Sequence, residues 1–183
     1  MKSTDLSVYN RNNYHPGASR VVRAAWYLIN LLVFKTGWLP FSPPKILLLR
    51  LFGAKAGKNC VIKPHVSIKY PWHVTLGDFV WIGEKAWIDN HVTVQIGSHV
   101  CLSQGAMIMT GNHNYSSTHF DLITKPVVIE NGVWIGAGAT ICPGITAGSH
   151  SVLTAGSVAT RNLEAYSIYQ GNPAVRIRTR EIS

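Results

Sequence analysis

The chain has 183 residues, 46% of them hydrophobic and only 14% charged, which suits one folded domain with an appendage and excludes an intrinsically disordered chain. The formal net charge of +9 is uneven: nine of the 17 Lys/Arg but one of the eight Asp/Glu fall in residues 1–60, so an anionic partner is sought there first. No nucleic-acid motif or dense basic run accompanies that charge, which argues against nucleic acid; three cysteines (Cys60, Cys101, Cys142) without a CxxC argue against a disulfide framework or zinc ribbon and fit a reducing cytosol.

Residues 1–55 read as a basic, apolar helical segment. Ser19 is placed to cap a helix running to Phe34. Pro40, Pro43 and Pro44 interrupt the pattern, and Pro44 fits the first turn of a second helix through Lys45–Phe52 that stops at Gly53. The apolar stretch Ala24–Phe34 is too short to span a membrane, which takes about 20 residues, and too late and basic-flanked for a secretory signal. Two roles are compatible for this segment: a cover for the end of the following domain, or a contact with a membrane surface.

From residue 56 to 165 the chain keeps a six-residue rhythm. Each unit opens on an aliphatic residue, often continues with Gly, and has a small residue in fifth place. Examples are Ile62, Leu76, Ile82, Ile96, Leu102, Ile129, Ile135, Ile141, Ala147 and Leu153 with the residues that follow them. A period of six is wrong for an amphipathic helix of 3.6 residues per turn and for the plain alternation of a sandwich. It fits a short strand plus a tight corner, three units to a coil, with coils stacked at about 4.8 Å. The first and fifth positions then point inward, and glycines sit at corners where φ can turn positive. Two slips of two residues, Ile68 to Leu76 and Ile88 to Ile96, read as corner bulges.

This run, with Leu49-Arg-Leu-Phe-Gly-Ala-Lys, Tyr70-Pro-Trp, Thr110-Gly-Asn-His113, Val133-Trp-Ile-Gly and Gly171-Asn-Pro-Ala, resembles the hexapeptide-repeat acyltransferases. Within them it looks closest to the colanic acid biosynthesis and other bacterial sugar O-acetyltransferases, over about residues 50–180. The resemblance implies an all-β, left-handed parallel β-helix, a handedness that runs against the usual crossover rule. It also implies an acetyl-CoA-dependent O-acetyltransferase working on a sugar hydroxyl in exopolysaccharide or other surface-glycan synthesis. No metal is expected. A homotrimer is implied by analogy, because an open solenoid buries little by itself. The resemblance further implies that residues 166–183 form a tail packing near the CoA site.

The rhythm breaks between Ile108 and Ile129, 21 residues, three more than a full coil of 18, and residues 111–126 are polar. Such an interruption in a solenoid marks a functional insertion. His113 stands at its edge, where the relatives place the base that takes the acceptor hydroxyl's proton. A thioester is already activated, so no enzyme nucleophile or acyl-enzyme is needed. An alcohol does need its proton withdrawn, and imidazole contributes about 10²–10⁴-fold in that role. His119 shares the loop. Asn112, Asp89 and Asn90 are candidates for binding the acceptor.

The family places the tract after Trp134 beside the pantetheine arm of CoA. By position, Ala137 and Ala155 match residues whose backbone meets the arm. Thr160 and Arg161 match a pair near the nucleotide, and Arg178 matches an Arg near the phosphates. A second family Arg falls on Val175, so Arg176 is its substitute. Other readings stay open: transfer to an amine, a metal-dependent hydratase using His73, His113 and His119, or a non-catalytic membrane scaffold. The acceptor can be lipid-linked, which would place a cytoplasmic enzyme peripherally at the inner membrane face.

Overall fold

The computed structural model describes residues 3–9 and 14–183; Lys2 and Arg11 of the basic segment lie outside the described residues. Helix α1 (Arg20–Ile29) is capped by Ser19, whose Oγ accepts the Val22 N–H at 3.3 Å. It does not continue to Phe34 as an α-helix: Asn30–Phe34 form a wider π turn. Trp26, Asn30 and Phe34 are all buried at four-residue spacing. An α-helix would drift by about 40° at each such step, and the wider turn holds the three on one face. Helix α2 (Ser42–Leu51) starts earlier than Pro44 alone would suggest, because both Pro43 and Pro44 fit its first turn, and Gly53 beyond its end has φ +92°.

The rest is a three-sided parallel β-helix. Among the described residues its faces carry five, seven and five strands. Leu76, Ile96, Ile129 and Ala147 stack in register on the first face. Ile62, Ile82, Leu102, Ile135, Leu153 and Tyr169 do so on the second. Ile68, Ile88, Ile108, Ile141 and Ala159 line the third. These first-position residues and the fifth-position residues (Val66, Val80, Ala86, Val100, Ala106, Val133, Ala139, Ser151, Ser157) are buried and fill the prism.

The glycines divide into two kinds, of which the positive-φ expectation covers one. In the left-handed conformation at fourth positions are Gly105 and Gly138, but also Lys85 and His99. The second-position glycines are different: a Cβ on Gly83 would lie 2.6 Å from the Ser103 carbonyl carbon, and one on Gly77 2.5 Å from the Ser98 nitrogen. Those glycines are needed because successive coils approach backbone to backbone.

An open β-helix exposes unpaired edge groups at its first coil. The two helices supply partners for all three edge strands. Trp26 Nε1 donates to Ile68 O at 2.8 Å, and Asn30 Oδ1 accepts from Ile68 N. Ser42 Oγ accepts from Ile62 N, and buried Lys45 donates to Ile62 O and Lys63 O. Arg50 donates to Ala56 O and Gly57 O. At the other end Ser167–Gly171 pairs with Ala174–Thr179 as an antiparallel hairpin, and Arg180 reaches back to Gly132 O and His150 O.

The long interval is a corner and not a coil. Ile129 pairs with Ile96 on the first face, so the 21 residues from Ile108 replace the eight that run from Ile88 to Ile96. The insertion closes on itself as a two-stranded hairpin, Gly111–His113 against Leu122–Thr124.

Candidate active site

Both phase slips and the long insertion fall at the same corner, between the third and first faces, in successive coils. Lys69–Tyr70 sit in the first slip and Asp89–His91 in the second, with the hairpin above them. The register makes this geometric: residues 20 apart along the chain, such as Lys69 and Asp89, stack one coil apart. Lys69, Tyr70, Asp89 and His91 line a cleft of about 430 Å³ with Tyr9, Tyr14, Gly111, Asn112, His113 and Leu122.

His113 is half-buried on the cleft wall. Its Nδ1 is 2.9 Å from the Phe120 carbonyl oxygen, and its ring stacks on Phe120 with centroids 4.3 Å apart and planes at 8°. A carbonyl accepts only, so Nδ1 carries the proton and donates, which leaves the Nε2 lone pair as the basic atom. The Tyr9 ring lies 5.8 Å away. Tyr9 is brought there by the N-terminal segment, whose Asp5 N–H donates to Thr118 O in the insertion.

Asn112 also lines the cleft, and its Oδ1 accepts the His113 N–H at 2.8 Å. Asp89 faces the cleft in an ion pair with Lys69 at 2.9 Å, and Lys69 Nζ is 2.8 Å from His91 Nε2. Asn90 does not line it. It is fully buried, and its amide bridges both backbone groups of Tyr70, donating to the carbonyl and accepting from the N–H. His119 lies in the insertion but outside the cleft wall. Lys69, Tyr70, His91, Tyr9 and Tyr14 are not among the site residues expected from the sequence, although Tyr70 opens one of the stretches that carry the family resemblance. The first three carried a usable signal, the two slips spaced one coil apart; the tyrosines carried none.

The positions matched to CoA contacts are elsewhere. Trp134 is half-exposed on the second face, its Nε1 donating to Ser103 Oγ at 2.9 Å. Ala137 and Ala155 stack at one corner a coil apart, joined through the Gly156 N–H donating to Ala137 O at 2.8 Å. Thr160 and Arg161 are exposed after the last third-face strand. Arg176 is held by Ser167 Oγ at 2.8 Å and lies 3.5 Å from Glu164, while Arg178 borders a cleft of about 380 Å³ with Thr179, Arg180 and Glu181. None of these residues lines the His113 cleft. The cysteines are also outside it, and burial pushes the Cys101 and Cys142 thiols up, which disfavours thiolate formation. Within the described residues of the chain, His73, His113 and His119 do not gather into a metal-binding group.

A colanic acid biosynthesis acetyltransferase of Escherichia coli K12, WcaF, is 36% identical over 178 residues, spanning 96% of this chain and 97% of that protein. The chain belongs to the hexapeptide-repeat acetyltransferases. By that membership it is an acetyltransferase with the left-handed β-helix of the family. The galactoside O-acetyltransferase of E. coli K12 is 29% identical over 134 residues, 72% of this chain and 66% of that protein. Among solved structures, the hexapeptide-repeat acetyltransferase VCA0836 of Vibrio cholerae, complexed with acetyl-CoA, superposes with a TM-score of 0.83 at 21% identity, covering 96% of this chain and 97% of that one. A galactoside acetyltransferase in complex with CoA superposes at 0.75 and 23% identity, covering 88% and 82%. No family model matches the chain.

Proposed function

We propose that this acetyltransferase moves the acetyl group of acetyl-CoA to a hydroxyl of a sugar acceptor in surface-glycan synthesis, with His113 as general base. The observation that carries this reading is the Nδ1 contact with the Phe120 carbonyl, which presents a basic Nε2 on the wall of a polar cleft. Nε2 takes the hydroxyl proton as the oxygen attacks the thioester carbonyl. The tetrahedral intermediate collapses, the C–S bond breaks, and the imidazolium returns the proton to the CoA thiolate. No acyl-enzyme forms. Tyrosine rings with Asp89, Lys69 and Asn112 around the cleft are suited to a sugar, which offers apolar faces and hydroxyl edges.

The donor runs along Trp134, Ala137 and Ala155, with Thr160, Arg161, Arg176 and Arg178 towards its phosphates. Because these residues do not share a cleft with His113, the reading requires a second copy of the chain to bring its donor face to this corner. A homotrimer does so with three equivalent sites. The N-terminal helices and their flanks expose apolar side chains, among them Val21, Leu28, Leu32, Phe41 and Leu51, and the same stretch of chain carries exposed Arg20, Arg50 and Lys55. No described helix is long and apolar enough to cross a membrane. This surface fits peripheral contact with an anionic bilayer and with it a lipid-linked acceptor.

The test is CoA release from acetyl-CoA over a panel of glycan acceptors. His113→Ala lowers turnover about 10²–10⁴-fold. The reading fails if the variant turns over like the wild type.

A further inference from the structure

A second cleft, of about 320 Å³, adjoins the His113 cleft and shares Lys69, Tyr70 and Asp89 with it. Its other wall is formed by α1 and the turn beyond it, through Arg23, Tyr27 and Lys35. Three cations line this small volume against one acid. The Asp89 carboxylate is already matched by Lys69 at 2.9 Å, and neither Arg23 nor Lys35 has an acidic partner among the described residues. Arg23 Nε is buried and, among the described residues, has no hydrogen-bond partner. The cleft therefore carries an excess of positive charge that no described acid offsets.

We infer that this cleft seats the phosphate or diphosphate of the acceptor's carrier, with the attached sugar reaching the neighbouring His113 cleft. The inference rests on the reading of that cleft as the acceptor site. A phosphate in the cleft pairs with the Arg23 guanidinium, whose planar fork of donors suits phosphate oxygens, and Lys35 adds a second positive charge. The aromatic ring of Tyr27 in the same wall gives an apolar flank for whatever the phosphate carries. Two carriers share this chemistry, a nucleoside diphosphate and a polyisoprenyl diphosphate.

The experiment is calorimetric binding of inorganic pyrophosphate to the full chain, without acetyl-CoA, so that its outcome does not depend on acetyl transfer. Wild type binds, and Arg23→Gln and Lys35→Gln each bind about tenfold more weakly. Arg23→Lys recovers part of the loss, and unchanged melting temperatures show that the variants fold. His113→Ala binds as wild type does, which separates this site from the base. Parallel titrations with UDP and geranyl diphosphate identify the carrier, the tighter of the two naming it. Absence of pyrophosphate binding to wild type, equal binding by the glutamine variants, or displacement of pyrophosphate by CoA overturns the inference; the last would assign these cations to the donor.

Discussion

The two kinds of glycine can be separated by one pair of substitutions. Gly83 and Gly105 occupy the second and fourth positions of two repeat units stacked in successive coils. A Cβ on Gly83 would stand 2.6 Å from the Ser103 carbonyl carbon, 2.7 Å from the Gln104 nitrogen and 2.8 Å from the Leu102 oxygen. All three are backbone atoms of the next coil, so no side chain can swing aside. Overpacking of this kind costs about 1–3 kcal/mol, and a backbone obstacle puts Gly83→Ala near the upper end. For a chain of this size 1 kcal/mol shifts Tm by about 2–4 °C, so the expected loss is about 6–12 °C. At Gly105 the nearest atoms to a built Cβ are 3.9 Å away and φ is +66°. Gly105→Asn therefore meets only the left-handed backbone penalty, about 1 kcal/mol or less for Asn, and lowers Tm by at most about 4 °C. Lys85 and His99 already adopt that conformation at equivalent corners. Thermal unfolding by circular dichroism at fixed protein concentration measures both. If Gly83→Ala melts with the wild type, or Gly105→Asn loses more than Gly83→Ala, the division by coil-to-coil contact is wrong.

Trp26→Ala removes a ring that is 2% exposed together with the donor to Ile68 O, and is expected to cost about 3–5 kcal/mol in denaturant unfolding. A cost below 1 kcal/mol would mean that α1 is not coupled to the first coil. Burial holds the His73 imidazole below its ordinary value of 6.5, so the fold prefers the neutral ring. As pH falls below 6.5 the unfolded chain takes up that proton first. Wild-type stability should therefore decline relative to His73→Phe on going to acid, and should run parallel to it above 6.5. Leu28→Asp with Leu32→Asp, both more than half exposed, should abolish sedimentation with anionic vesicles while leaving Tm within a few degrees; unaltered sedimentation would place membrane contact elsewhere.

The six-residue rhythm determined the prism, because an inward aliphatic and an inward small residue recur in the regular units between Ile62 and Ser157, and no helix or alternating sheet can bury that pattern. The insertion that carries His113 was legible as well, since a polar interruption is conspicuous against so regular a background. The composition of the cleft was not. Lys69, Asp89 and His91 meet only because stacking puts residues 20 apart in adjacent coils at one corner, and Tyr9 arrives from a segment that carries no rhythm at all. Asn90 lies at the corner where the relatives present an acceptor-binding polar residue, but its environment is the interior, where a buried amide must satisfy backbone groups before anything else. Local sequence periodicity reports which way a side chain points within its own coil. Which distant residues become neighbours depends on how corners of different length align along the prism, and that is a property of the assembled fold.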